Sequence, residues 1–227
     1  MERIITVFGS SRPRENEADY EEAMMLGRAL GEAGFAVCSG GYGGVMEAVS
    51  RGARSVGAKT YGVTAEFFKP QVNRWIDEEI RMKTWQERLF ELVRLAHGFV
   101  ACKGGTGTLV ELAVVWEMLN KSVIAGKPMV VLGDFWTPIL ERVREVELGH
   151  PTVWGESNGK LVHTARTPAE ATDFPAASVD EIEGQNRNSK REIRKTENRK
   201  RKRRTENRTP PAPREQSEGG RYQGKKK

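Results

Sequence analysis

Three short segments rich in glycine, serine and threonine are the residues of this chain that could bind a phosphorylated ligand. The first loop is Gly9-Ser10-Ser11, the second loop runs from Ser39 to Gly44, and the third loop runs from Lys103 to Thr108. Each follows an apolar run, and the second and third loops lead directly into helix-like segments. A glycine-rich turn that opens a helix lets backbone N–H groups point at an anion, with help from the helix dipole. Two such turns indicate a phosphate site, although a glycine turn often only closes a strand–helix connection.

The apolar runs before these loops predict the strands of a parallel sheet. They are short, rich in β-branched and aromatic residues and often continuously apolar, which is typical of strands covered on both faces. The predicted strands are Ile4–Phe8, Phe35–Cys38, Thr60–Val63, Gly98–Cys102, Met129–Leu132 and Leu161–His163. The predicted helical segments are Glu17–Glu32, a helix from Val45, Thr84–Ala96, Thr108–Leu119, Pro138–Val146 and a last turn at Pro168–Thr172. This alternation predicts an α/β fold, a Rossmann-like doubly wound parallel sheet that binds ligands at the carboxyl ends of its strands.

Two predicted helices begin with Thr-x-x-Glu, the pattern of a capping box. In the second of them, Glu111 could either cap its own helix or serve as a functional carboxylate. Arg88, in the helix that begins at Thr84, could either lie on a solvated face beside Glu87 and Glu91 or bind a ligand. Neither long loop matches a P-loop, and the first strand is not followed by a dinucleotide-binding fingerprint. These residues therefore leave several phosphate-binding functions open.

The third loop and its surroundings resemble the signature of the LONELY GUY (LOG) family. KGGTGTLVE, residues 103–111, is similar to the PGGxGTxxE motif of that family. The first loop, the segment GGYGGVM at residues 40–46 and Arg88, sixteen residues before Gly104, match further family features in the same order. The similarity extends over about residues 4–172, which is nearly the whole part of the chain with regular apolar runs.

The resemblance implies a homodimer that hydrolyses a nucleoside 5′-monophosphate, AMP or a cytokinin nucleotide, to the free base and ribose 5-phosphate. It gives catalytic roles to Arg88 and Glu111. Breaking an N-glycosidic bond builds positive charge on the ribose, which a carboxylate can stabilise, and a guanidinium suits phosphate or ribose oxygens. The predicted substrate-binding residues are Gly9, Ser10, Ser11, Gly40, Gly41, Gly43, Gly44, Gly104, Gly105, Thr106, Gly107 and Thr108.

The chain differs from the family motifs near the predicted catalytic arginine. Trp85-Gln86 stand where the family has Met-His, Leu89 stands where it has Lys, and Lys103 stands where it has Pro. These differences keep open a non-catalytic nucleotide-binding or sensing protein on the same fold. Lys103 could be a phosphate clamp or an ordinary exposed lysine, and we expect Trp85 and Trp116 to make core or dimer contacts rather than stack on a base. Lysine decarboxylation is rejected, because no Schiff-base lysine with cofactor-orienting partners is visible.

Cysteine and apolar content limit the other classes of function. Cys38 and Cys102 have no paired spacing, so we expect two buried thiols and neither a disulfide framework nor a Cys-based metal site. The three histidines lack metal-ligand spacing as well. The apolar run before Gly9 is too short for a signal segment, and no stretch approaches the ~20 apolar residues of a membrane helix. We expect a cytoplasmic protein with no membrane partner, metal or cofactor.

The charge divides the chain into two predicted regions, a nucleotide-binding domain at 1–180 and a basic tail at 181–227. Residues 187–227 hold 17 Lys or Arg against 5 Glu, whereas the preceding residues hold 20 against 26 Asp or Glu. Beyond Ile193 the only large apolar side chain is Tyr222. Such a segment cannot offset its ordering entropy, so we predict a disordered tail that binds nucleic acid non-specifically through its charge.

Overall fold

The computed structural model describes residues 2–68, 71–124, 126–148 and 161–178. Within these residues the strands are β1 Ile4–Phe8, β2 Ala36–Ser39, β3 Thr60–Ala65, β4 Glu78–Met82, β5 Gly98–Ala101, β6 Met129–Leu132 and β7 Val162–Ala165. The helices are α1 Ala18–Glu32, α2 Val45–Ser55, α3 Trp85–Leu95, α4 Thr106–Asn120, α5 Thr137–Leu148 and α6, residues 168–178. The predicted basic tail lies outside the described residues.

All seven described strands form one parallel sheet in the order β4-β3-β2-β1-β5-β6-β7. The chain builds the sheet outward from β1 to β4, returns to place β5 on the other side of β1, and continues outward to β7. The predicted α/β fold with a doubly wound parallel sheet is therefore confirmed. The direction of winding changes between β1 and β5, and the loops after these two strands diverge to opposite faces of the sheet, which opens a crevice.

Successive residues of each central strand supply the two cores of the molecule, because side chains alternate between the faces of a sheet. On one face, Phe8 stacks on Phe99 at a centroid distance of 6.0 Å beneath α3, α4 and α5. On the other face, Ile5 and Val7 pack with residues of α1, α2 and α6. The central strands are thus buried on both sides, as their continuous apolar runs predict. No helix of the described residues is long and apolar enough to span a membrane.

Two glycines bring the backbones of α1 and α2 into direct contact. A Cβ atom on Gly27 would overlap the carbonyl of Val49, and one on Gly52 would overlap the carbonyl of Met24. Only glycine allows this approach at either position. Since α1 follows the first loop and α2 follows the second loop, the contact fixes the positions of these two loops relative to each other.

The structure corrects the prediction at two places. β4 was not predicted, because Glu78, Glu79 and Arg81 point to solvent on an edge strand that has no apolar run. The predicted helix Thr108–Leu119 starts two residues earlier, with Gly105 at its N-cap and no side-chain cap. The capping box predicted at Thr108 is therefore wrong. The capping box of α3 is present: Glu87 N–H donates to the Thr84 hydroxyl at 3.1 Å, and the Glu87 carboxylate accepts from Thr84 N–H at 2.9 Å.

Candidate active site

A cavity of about 1000 Å³ lies at the carboxyl ends of β1 and β5, at the point where the winding of the sheet changes direction. The predicted site residues that line it are Gly9, Ser10, Ser11, Arg88, Gly104, Gly105, Thr106, Gly107, Thr108 and Glu111. Gly40, Gly41, Gly43 and Gly44 of the second loop do not line it. The first and third loops are thus brought together with Arg88 and Glu111, whereas the second loop contributes Tyr42 to the lining and none of its glycines.

Arg88 and Glu111 form an ion pair inside this cavity. Arg88 lies in the first turn of α3 with only 6% of its surface exposed, so the solvated-face interpretation is wrong. Its Nε donates a hydrogen bond of 2.8 Å to the carbonyl of Val63, and its Nη1 lies 3.5 Å from Glu111 Oε1. The first contact fixes the guanidinium against β3, and the second directs its charge toward Glu111.

Two aromatic rings hold the Arg88 guanidinium from the side. The centroids of Tyr42 and Phe68 each lie 5.7 Å from Arg88 Cζ, within the range of a cation–π contact. The Tyr42 hydroxyl in turn accepts a hydrogen bond of 3.1 Å from Ala65 N–H. The position of Arg88 is therefore determined by groups from β3, α4 and two separate loops.

Burial makes Glu111 a weaker acid than an exposed glutamate. Desolvation raises its pKa to about 7, and the positive charge of Arg88 opposes this shift without cancelling it. Near neutral pH the side chain therefore exists in both protonation states. Glu111 lies in the second turn of α4, and the helix begins at Thr106, so the alternative that Glu111 caps its own helix is wrong.

The third loop leaves space for a ligand at the start of α4. A Cβ atom on Gly104 would overlap the buried side chain of Thr108, so this glycine allows the turn. A Cβ atom on Gly105 or Gly107 would meet no atom within 4 Å, which means that the backbone there faces open space. The first N–H groups of a helix have no partner within it, and the first turn of α4 contains no acidic residue. These N–H groups can donate hydrogen bonds to a bound anion.

The second loop has glycines for a different reason. A Cβ atom on Gly40 would overlap the guanidinium of Arg88, and one on Gly44 would overlap the carbonyl of Ser10. Gly44 also has φ +70°, a conformation that favours glycine. The first N–H of α2, from Val45, donates to the Ser10 carbonyl at 2.8 Å. The second loop therefore packs on the residues that line the cavity.

The predictions for the remaining polar and aromatic residues have mixed outcomes. The Nζ of Lys103 lies at the cavity but pairs with Asp19 at 2.9 Å. Trp116 lies in the core, as expected, whereas Trp85 is 38% exposed and lines the cavity, so the core interpretation of Trp85 is wrong. Cys38 and Cys102 are buried thiols, as predicted, and burial raises the pKa of both to about 12.

Eight cavity residues were not predicted: Arg12, Pro13, Glu17, Asp19, Tyr42, Met46, Phe68 and Phe135. Arg12, Tyr42, Phe68 and Phe135 each follow the carboxyl end of a strand within a few residues, and position relative to the strand ends was the available signal for these four. The histidines that the structure describes lie elsewhere: the Nδ1 of His97 accepts from Ile4 N–H at 3.1 Å, and His163 packs on Phe174. No group of three or more His, Cys, Asp or Glu in the described part of the chain could hold a metal ion.

Comparison with known proteins gives matches over most of the described residues. Residues 2–151 match the SLOG cluster4 family. A cytokinin riboside 5′-monophosphate phosphoribohydrolase LOG of Oryza sativa subsp. japonica is 33% identical over 146 residues, which cover 61% of this chain and 58% of the rice protein. A cytokinin riboside 5′-monophosphate phosphoribohydrolase of Mycobacterium marinum is 31% identical over 132 residues, which cover 55% of this chain and 70% of that protein. The match thus spans little more than half the length of the rice protein.

Solved structures support the same architecture. The molybdenum cofactor binding protein of the phototrophic bacterium Rippkaea orientalis superimposes with a TM-score of 0.61 and 23% sequence identity. The superposition covers 76% of this chain and 94% of that protein. At this level of identity the similarity concerns the fold.

Proposed function

Because this chain belongs to the SLOG cluster4 family, we propose that it hydrolyses the N-glycosidic bond of a nucleoside 5′-monophosphate, releasing the free base and ribose 5-phosphate. The relationship to LOG proteins that the motif KGGTGTLVE indicates is confirmed. The observation that carries the proposed reaction is the Arg88–Glu111 ion pair, which shares one cavity with the open start of α4.

The phosphate of the substrate binds at the third loop. Its oxygens accept hydrogen bonds from the N–H groups at the start of α4, where Gly105 and Gly107 leave the backbone uncovered. Glu111 lies less than two turns further along the same helix, about 7 Å away at 1.5 Å per residue. A ribose attached to that phosphate therefore extends toward Glu111.

Glu111 acts on the anomeric carbon of the ribose. Water adds to C1′ as the C1′–N bond breaks, and the electron pair of that bond leaves with the base, which takes up a proton. The ionised carboxylate stabilises the positive charge that develops on the ribose and orients the water. Arg88, held by the Val63 carbonyl, keeps the carboxylate aimed at the reacting carbon.

The base occupies the aromatic part of the cavity. Trp85 lies one turn before Arg88 on α3, Phe68 contacts the Arg88 guanidinium, and both aromatic residues line the cavity. Flat aromatic surfaces favour a purine, which offers a larger area for stacking than a pyrimidine. We therefore place AMP or a cytokinin nucleotide in the substrate class.

A nucleotide-binding protein without turnover is the second candidate. It is favoured by Leu89, which is only 4% exposed and packs in the core where the family motif has Lys. This chain has no cation at that position, so Arg88 is left to neutralise the charge of Glu111 without the lysine of the family motif. Both candidates bind AMP, and only the first releases adenine.

The test is to incubate the protein with purine and pyrimidine 5′-monophosphates and to measure the free base by chromatography. Release of base from at least one nucleotide, abolished by Glu111→Gln, would support the hydrolase. Tight binding of AMP with no release of base from any nucleotide would favour the binding protein.

The proposal includes a homodimer in the cytoplasm. Phe90 on α3 is 54% exposed, Trp85 is 38% exposed, and Val110 and Val114 of the adjacent α4 are only partly buried. Exposed apolar surface of this kind marks protein–protein contacts, and two-fold pairing is the commonest soluble assembly. We expect light scattering to give the mass of two chains. The mass of one chain at the concentration used for activity would contradict the dimer.

A further inference from the structure

Three cations and three carboxylates line the cavity, and one of the cations has no acidic partner within the described part of the chain. The cations are Arg12, Arg88 and Lys103, and the acids are Glu17, Asp19 and Glu111. Arg88 pairs with Glu111, and Lys103 pairs with Asp19. Among the residues that the structure describes, no carboxylate pairs with the exposed guanidinium of Arg12, and the carboxylate of Glu17 accepts from the backbone of Arg14 at 3.0 Å.

The backbone at Arg12 is fixed although its side chain is exposed. Arg12 N–H donates to the Ser10 hydroxyl at 3.1 Å, and Ser10 N–H donates to the Lys103 carbonyl at 3.2 Å. The Ser10 carbonyl accepts from Val45 N–H at 2.8 Å. These bonds hold Arg12 beside the third loop, so its guanidinium is attached to a rigid base next to the open start of α4.

We infer that Arg12 binds the 5′-phosphate and is the residue that selects a monophosphate over the unphosphorylated nucleoside. The inference rests on the proposed function for the identity of the ligand as a nucleotide. The formal charges of the lining side chains cancel, so a phosphate dianion is attracted chiefly by the cation that is not already paired. The guanidinium fork of Arg12 binds two phosphate oxygens from one side, and the N–H groups of α4 bind from the other.

The experiment compares Arg12→Gln with the matched control Arg14→Gln. Arg14 is also exposed, lies two residues further along, and does not line the cavity. Binding of AMP, ribose 5-phosphate and adenosine is measured by calorimetry, together with turnover of AMP. We expect Arg12→Gln to weaken binding of both phosphorylated ligands by about 10- to 100-fold, as for the loss of a charged hydrogen bond. Binding of adenosine should be unchanged, and Arg12→Lys should be intermediate because it keeps the charge without the fork.

Calorimetry separates this inference from the proposed function. If the wild-type protein binds AMP without releasing base, the hydrolase fails, and selective loss of AMP binding in Arg12→Gln still supports the inference. Equal AMP affinity in Arg12→Gln and the wild-type protein would overturn the role of Arg12 whatever the turnover. An equal loss of adenosine binding would overturn it as well, since Arg12 would then not distinguish the phosphate.

Discussion

The second and third loops are both rich in glycine, but their glycines have different neighbours. In the second loop, Gly40 and Gly44 are glycine because protein atoms occupy the space that a Cβ would need. In the third loop, Gly105 and Gly107 face empty space at the mouth of a helix. A glycine-rich turn therefore indicates that some group lies close to the backbone, and the tertiary structure determines whether that group belongs to the protein or leaves room for a ligand.

The largest effect on turnover should come from removing the charge of Glu111, which lies on α4, the helix that follows the third loop. Glu111→Gln keeps the size of the side chain and should lower turnover by about 100-fold or more, as for loss of a preorganised electrostatic group. The fold should be retained, which circular dichroism can check. Turnover close to that of the wild-type protein would mean that the chemistry is not located at α4.

The pH dependence of the wild-type protein should follow the same carboxyl group. Because burial raises the pKa of Glu111 to about 7, kcat/KM should rise as pH increases through about 7 and level off above it. Stability should change in the opposite direction. A carboxyl with a raised folded-state pKa stabilises the protein below its unfolded value of about 4.5, and this contribution is lost as pH rises through about 7. Glu111→Gln should remove this loss of stability with rising pH, which can be measured by thermal unfolding at a series of pH values.

Gly40→Ala should damage the site although Gly40 does not line the cavity. The added methyl would displace the Arg88 guanidinium, and a shift of about 1 Å in a catalytic group costs about 100-fold in rate. The matched control is Gly43→Ala, whose methyl would lie 3.8 Å from the nearest atom, the Ser11 carbonyl. The measurement is the rate of base release by Gly40→Ala divided by that of Gly43→Ala. Equal rates would show that the second loop does not support Arg88.

Gly107→Ala in the third loop should weaken ligand binding while it increases the stability of the protein. Alanine is favoured over glycine within a helix by about 1 kcal/mol, so the melting temperature should rise. The methyl lies where the phosphate approaches, so KM for a nucleotide should increase about 10-fold, as for loss of one charged hydrogen bond. An unchanged KM would contradict phosphate binding at the start of α4.

The interior strands could be predicted from the sequence alone, whereas the edge strand β4 and the burial of Arg88 could not. β1 and β6 were predicted to the residue because both are interior strands made of apolar or β-branched residues. β4 was not, since an exposed edge strand is defined by pairing with β3 rather than by its own pattern. Burial of Arg88 was equally inaccessible, because Val63 and Phe68 contact it only once distant segments are brought together.

The smallest effect on turnover should come from removing everything after Asp180. None of the candidate site residues lies beyond that position, so base release should be nearly unchanged. Binding of a labelled oligonucleotide should be lost, because residues 187–227 carry 17 of the 37 Lys and Arg of the chain. For the full-length protein this binding should fall steeply with salt. Loss of base release on truncation would extend the functional unit into the tail.

The glycine contact between α1 and α2 has a consequence for how the site can diversify. Gly27 and Gly52 leave no room for adjustment between the two helices, so the first loop, which carries Arg12, and the second loop, which packs on Arg88, keep their relative positions. Phe68 and Phe135 lie on separate connections outside that contact. Substitutions at Phe68 and Phe135 can therefore occur without moving these two loops, so we expect the proposed base preference to change in evolution more readily than the proposed phosphate anchor.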